Sequence, residues 1–339
     1  MARGTHSRTG LARWAGGSFI ARVGCVAATG LLLGANPAGA HGFAGKRFFP
    51  STLTVEDPFV ADELSFVAGH RREPSEDAGG FSHVTRLSGE LSKRITRRLG
   101  ISVGGEWIST HPAGDAARRG FNNLEVGARY QFLTSELHEA VASLDFGAEV
   151  GDSGDAGVGA EPSSVVVPGL LFGKGAGDLP DSLRFLRPFA VTGSVGVALP
   201  LDARTRTRAF DPMTGNFVSE VQRNSRTVEW GATLQYNIPY LQSFVKETAL
   251  PAPLDHMTPV VELSMQTCLD RGCSGRTTGT VSPGVFWVGR HFQLGVEAQI
   301  PVNQRSGNQV GILAIVHLFL DDLFPTTWGR PLFHQRSHP

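Results

Sequence analysis

Eight carboxylates recur at matching places along this chain: Glu90, Glu106, Glu125, Asp145, Glu149, Glu229, Glu262 and Glu297. Each stands in a short alternating segment, on the side opposite a row of apolar residues, and Arg86 and Arg129 are the clearest bases on the same side. Two carboxylates flanking a sugar could hydrolyse a glycosidic bond, but these acids are spread over many segments with no local pairing. A nucleophilic hydrolase needs a Ser or Cys with a His partner. His70, His83, His111 and His138 stand singly in or beside loops, and no Gly-x-Ser-x-Gly elbow or phosphate-binding Gly-rich loop occurs. The chemistry left is electrostatic. Acids gathered on one surface favour cations or weakly polar neutral solutes over anions, or they join the arginines in a hydrogen-bonded network that fills a narrow interior.

Two further groups carry weaker signals. Cys268 and Cys273, in Cys-Leu-Asp-Arg-Gly-Cys, flank a Gly-containing turn. In an exported chain that spacing predicts a loop disulfide; the alternative, a reactive or metal-binding pair, has no neighbouring histidine to complete a ligand set. His41 becomes the first residue if a leader is removed after Ala40, and its amine and imidazole then suit a metal such as copper, with a second histidine needed. No catalytic residue, cofactor site or metal site is nominated.

The elements that must position the acids are read from period-2 alternation. In Leu124-Glu-Val-Gly-Ala-Arg-Tyr-Gln-Phe132 one face is Leu, Val, Ala, Tyr and Phe, and the other is Glu125, Gly127, Arg129 and Gln131. The same pattern recurs in about twelve segments: 62–69, 82–95, 99–110, 121–133, 139–150, 163–173, 187–200, 227–238, 258–268, 277–288, 291–301 and 309–320. Most have the length of a tilted strand crossing hydrocarbon. The segments at 163–173 and 309–320 are apolar on both faces and break the rule.

Ahead of these strands lies a leader. Arg3, Arg8, Arg13 and Arg22 precede an apolar run, Val23–Ala35, and then Ala38-Gly-Ala40. This predicts a secretory signal peptide over 1–40; an organellar transit peptide is the alternative. The whole chain of 339 residues carries 31 basic and 31 acidic residues, so no basic field for nucleic acid exists. No apolar stretch after the leader is long enough for a transmembrane helix.

Connection lengths give orientation. With the first strand running outward, the outer connections (70–81, 111–120, 151–162, 201–226, 269–276 and 302–308) are mostly long, while 96–98, 135–138 and 289–290 at the other end are tight. Short inner turns with long outer loops are the habit of outer-membrane barrels; the inner connections 174–186 and 239–257 depart from it. Trp107 and Trp230 fall toward outer strand ends, and Tyr130, Phe132, Tyr236 and Trp287 toward inner ends, as two interfacial aromatic bands would. A soluble β-sandwich is the structural alternative.

Two segments carry resemblances. His41-Gly-Phe-Ala-Gly-Lys-Arg-Phe-Phe-Pro-Ser-Thr-Leu53, with Asp57-Pro-Phe-Val-Ala-Asp-Glu-Leu64, resembles the mature start of an uncharacterised exported bacterial family. The strand pattern, with Ser282-Pro-Gly-Val285 and His317-Leu-Phe-Leu-Asp-Asp322, resembles outer-membrane barrels of the phenol-degradation MetA-like transporter group. That likeness implies passage of small hydrophobic molecules. One departure is the 321–339 tail, since many such barrels end at a terminal Phe and here only Phe319 or Phe333 could serve.

The chain is therefore expected to be all-β: a transmembrane antiparallel up-and-down β-barrel of about twelve strands over 62–320, after a mature N-terminal segment (41–61), in the outer membrane of a Gram-negative bacterium. The expected function is passive or facilitated passage of small hydrophobic or cationic solutes without catalysis. Membrane lipid and a small-molecule solute are the partners, nucleic acid is not, and Glu90, Glu106, Glu125, Arg129, Asp145, Glu149, Glu229, Glu262 and Glu297 line the lumen. The alternative is a non-transporting barrel that binds a partner through its long loops, and a lumen plugged by residues 41–61 would favour it.

Overall fold

A computed structural model describes residues 42–74, 81–112, 116–211, 216–273 and 275–333. The expected signal peptide (1–40) and His41 lie outside the described residues. Twelve strands form one closed antiparallel barrel: β1 (Glu63–Pro74), β2 (Phe81–Arg94), β3 (Leu99–His111), β4 (Leu124–Ser135), β5 (Ala140–Val150), β6 (Val165–Gly175), β7 (Phe189–Pro200), β8 (Thr227–Tyr236), β9 (Met257–Cys268), β10 (Thr277–Val288), β11 (Phe292–Pro301) and β12 (Gly311–Phe319). Each strand pairs with its sequence neighbours, and β12 closes on β1 with Leu318 opposite Leu64. A short leading piece of β4, Arg118–Phe121, pairs with β3 before the strand is interrupted at Asn122–Asn123. Closure pairs every barrel strand on both edges, so no long edge is left exposed.

The period-2 pattern sorts the side chains. Ile101, Leu124, Val126, Phe146, Val195, Leu234, Leu294 and Ile312 are exposed on the exterior, while Ser143, Thr192, Gln235, Glu262 and Gln293 are buried inside. A soluble sandwich would bury the apolar face; this barrel presents it outward, the arrangement that suits lipid. Trp107 and Trp230 lie near the end opposite the barrel's termini, and Tyr130, Tyr236 and Trp287 near the end that carries Glu63 and Phe319, here called the inner end. No helix of the described residues is long and apolar enough to cross a membrane.

Residues 42–62 do not lie beside the barrel but inside it. Phe43–Ala44 and Arg47–Phe48 form a small hairpin at the inner end, turning at Gly45, whose φ of 61° favours glycine. The chain then rises into the lumen, turns near Leu53–Glu56 and descends to β1; the descent passes the ascent closely, with the Phe49 and Phe59 rings 5.6 Å apart. This plug explains why β12 reads as apolar on both faces. Inward-facing Leu313 and Ile315 of β12 join Val260 and Phe286 around Leu53 of the plug. Phe49 and Phe59 pack on Ala44, Val141 and Ala190 as a second cluster.

The two long inner connections find their reason here as well. The connection 176–188, with a 3-10 turn at Asp181–Leu186, and the connection 237–256, with helix α1 (Ile238–Phe244), close over the hairpin. After Phe319 the tail turns back, and the Leu332 and Phe333 amides bond to the Arg94 and Ile95 carbonyls. Phe319 is buried facing inward against His317 and Phe48, whereas Phe333 is exposed.

Candidate functional site

The lumen is the concave site of this fold, and its geometry is set by how the plug is held. Mid-strand on β9, the fully buried Glu262 receives three consecutive backbone amides of the plug apex. Leu53 donates to Oε1 at 2.8 Å, and Thr54 and Val55 donate to Oε2 at 2.7 and 2.9 Å; the Thr54 hydroxyl adds a bond of 2.6 Å to Oε2. Successive N–H groups around one anion form a nest, and bonds to a carboxylate are roughly twice as strong as neutral ones. Gly231 on β8 clears space for this turn: a Cβ there would stand 2.8 Å from Val55 Cγ2.

On the opposite wall Arg129 of β4 does the matching work. Its Nε donates to Asp145 at 2.8 Å, its Nη1 donates to the Asp57 carbonyl at 2.8 Å, and its Nη2 pairs with Glu56 of the plug. Gln131 accepts from the Val60 amide at 3.0 Å, Ser143 donates to the Pro58 carbonyl, and Gln293 donates to the Ser51 carbonyl at 2.6 Å. Every one of these wall residues belongs to the polar face of an alternating strand. The inner end is fastened separately. Asp62 is fully buried and accepts from Lys93 Nζ at 2.7 Å and from the Arg94 amide and Nε at 2.7 and 2.8 Å.

Arg47 of the hairpin is completely buried. It donates to Glu139 at 3.2 Å and to the Pro188 carbonyl at 2.8 Å, and stacks 3.8 Å from the centre of the Tyr240 ring. Tyr240 in turn donates to Glu139 at 2.8 Å. Burial, and next the hydrogen bond to Glu139, push the Tyr240 phenol up to about 12, so it stays a donor at physiological pH.

Register puts the nine residues read as lumen-lining on the strand faces opposite the exposed apolar rows, and their contacts differ. Glu262, Arg129 and Asp145 grip the plug directly or through one another. Glu90 lies toward the inner end, bonded by Ser92 at 3.1 Å. Glu106 pairs with Arg86 at 3.2 Å, and Arg86 also reaches Glu73, which Arg71 holds at 2.6 Å. Glu229 accepts from Gln266 at 3.4 Å, and Glu149 accepts from Asn123 at 2.8 Å. One expectation needs correction: the acids are not without local pairing. Glu125 stands opposite Glu149 in the β4–β5 register, and Glu297 on β11 lies against Glu262 across β10. Sequence separation hides both, because antiparallel pairing brings residues far apart in the chain onto one patch.

Sequence reasoning missed the plug's own groups, Arg47, Glu56 and Asp62, and the buried His317, which contacts Ser65 at 2.7 Å and Glu63 at 3.0 Å. The signal available was the apolar inner face of 309–320, where Leu313 and Ile315 meet Leu53 of the plug. Space remains beside the plug. A cavity of about 120 Å³ lies among Thr54, Glu56, Asp145, Leu171, Glu229 and Gln266, and one of about 30 Å³ among Leu53, Val67, Arg71, Arg86 and Glu106. Among the described residues no His, Cys, Asp and Glu cluster could hold a metal ion.

At one outer loop, Cys268 and Cys273 lie side by side with Cα atoms 5.7 Å apart, within disulfide range. Beside them Arg226 donates to Asp270 through its amide and its Nε, which holds the Asp270 carboxyl below its usual range.

No family model matches this chain, and no curated protein matches it. Among solved structures it is similar to the NanC porin, at 10% identity over 76% of this chain and 98% of that one, with a TM-score of 0.42. It is also similar to an outer membrane channel from Pseudomonas putida F1 (13% identity, 78% and 97% coverage, TM-score 0.46). A third similar structure is the beta domain of the Bordetella autotransporter Brka (13% identity, 76% and 98% coverage, TM-score 0.44).

Proposed function

We propose that this protein is an outer-membrane barrel that passes small solutes by a restricted route through its lumen, with residues 49–61 limiting that route. The observation that carries the reading is the division of faces: an apolar, aromatic-banded exterior suited to lipid and an interior that keeps polar and charged groups on every side of the plug. A barrel whose only task was to stand closed would be served by an apolar core. Glu56, Asp145 and Glu229 line the larger cavity, and Arg129 pairs with the first two. That balance supports cations or weakly polar neutral solutes over anions.

The finer reading, a transporter of the phenol-degradation MetA-like kind, rests on the sequence resemblance of Ser282–Val285 and 317–322. Both stretches stand on the inner wall near the plug: Gly284 makes room for Glu297, and His317 contacts Ser51 at 3.4 Å. The second reading, a non-transporting barrel that binds a partner through its outer loops, is favoured by the plug itself. It is also supported by the outer connection 201–226, which builds its own hairpin, Arg204–Asp211 with Asn216–Arg223. Uptake by protein-loaded liposomes separates the two. The transport reading expects small cations and neutral solutes to enter faster than anions of equal size; rates equal to empty liposomes contradict it. Cleavage of the leader after Ala40 belongs to the same proposal and is tested by the N-terminal sequence of the mature chain.

A further inference from the structure

The barrel exterior is apolar or neutral at most outer strand ends. Outward-facing Leu124, Val150, Leu199, Val228, Thr267 and Ile300 mark it around most of the circumference. One arc differs. Register places Arg72 of β1 opposite His83 of β2, and His83 opposite His111 of β3. The next row down reads His70, Thr85, Ser109 and Arg119 on the same outward face. Below that come Leu87, Trp107 and Phe121, an apolar and aromatic row.

Two arginines and three imidazoles thus sit on the lipid-facing side, immediately above an interfacial tryptophan. They are organised by contacts among themselves. The His70 and His83 rings stack at 5.6 Å, His70 Nδ1 and the Thr85 hydroxyl are 3.0 Å apart, and Arg119 stands 3.5 Å from His111 Nε2. Arg72 lies 4.9 Å from the centre of the Phe81 ring. Among the described residues neither Arg72 nor Arg119 has a carboxylate partner, in contrast to interior Arg71, Arg86 and Arg129. Exposed guanidinium groups facing lipid need an anion, and a fork of N–H donors beside imidazoles suits a phosphate.

We propose that the outer ends of β1–β3, with the leading piece of β4, form a docking surface for the phosphorylated headgroup of an outer-leaflet lipid. Arg72 and Arg119 supply the charge, and His70, His83 and His111 supply further donors. The acyl chains would then lie along the apolar row beneath, beside Trp107 and Phe121. This proposal rests on the membrane-barrel reading.

The test uses the full chain inserted in phosphatidylcholine vesicles, with insertion verified by heat-modifiable gel migration. After extraction, native mass spectrometry measures retention of added bis-phosphorylated lipid A against its dephosphorylated form. The expected result is preferential retention of the phosphorylated lipid, weakened roughly thirtyfold in Arg72→Gln/Arg119→Gln. Arg72→Lys/Arg119→Lys should restore most of it, and Lys174→Gln, at the inner rim of β6, should leave it unchanged. Inorganic phosphate at equal concentration should not displace the lipid. Equal retention of both lipids by an inserted barrel overturns the proposal alone, as does a Gln double variant that inserts and binds like the parent. Failure of the parent chain to insert overturns the membrane reading and this proposal with it.

Discussion

The plug's stability is decided at a few atoms. Glu262 offers one carboxylate to four donors of residues 53–55, and a neutral amide at that position can accept through only one oxygen. Glu262→Gln should weaken the seating of the apex by about 2 kcal/mol. The checkable consequence is that a thiol at position 54 (Thr54→Cys) is alkylated from solution faster by at least tenfold; unchanged labelling would refute the clasp. At the inner end, Tyr240 holds its proton more tightly when folded. Its contribution is fully present below about pH 10, where an unfolded tyrosine ionises, and it is lost as pH rises toward 12. Protease cleavage at Phe43–Phe48, measured against an unfolded peptide of the same sequence at each pH, should therefore increase across that window in the parent and not in Tyr240→Phe. Only part of this was legible in the residues. Glu262 was recognisable as an interior acid because its strand alternates. Its partners were not, since backbone amides of residues 53–55 carry no residue signature.

The strands were the most legible elements because a closed barrel with an apolar exterior imposes a rule: each strand turns one face outward and the other to the lumen. The leading piece of β4 was not legible, because Arg118–Gly120 reads as part of the connection 111–120 and the outward residues change parity across Asn122–Asn123, from Arg119 and Phe121 to Leu124 and Val126. The plug was not legible as structure, since residues 49–61 contain no regular strand or helix and take their shape from the wall. Its presence nevertheless left marks in the wall, in the inward Leu313 and Ile315 and in Gly231. Gly231→Val should press on both Val55 and the Leu263 carbonyl of β9, displacing the apex and straining the β8–β9 pairing at a cost of about 1–3 kcal/mol. Increased protease cleavage within 49–61, with unchanged heat-modifiable migration, checks this. For the outer loop at 269–276, the proposed Cys268–Cys273 disulfide predicts that both thiols react with maleimide only after reduction; labelling of the untreated protein would contradict it.

At the scale of the molecule, two designs share one chain: a barrel with an apolar exterior, and an internal strap through a lumen lined by polar and charged side chains. The strap enters and leaves at the same end, so its apex can withdraw without unthreading, and its bonds to Glu262 and Arg129 are polar contacts that water can replace. The central claim is that residues 49–61 set the passage through this lumen. Single-channel recording in planar bilayers, comparing the full mature chain with one lacking residues 42–61, tests it most directly. Small or rare openings in the full chain should give way to larger, cation-preferring openings when the strap is removed. Absence of current from both proteins, at any voltage or salt, would contradict the account and leave the partner-binding barrel standing.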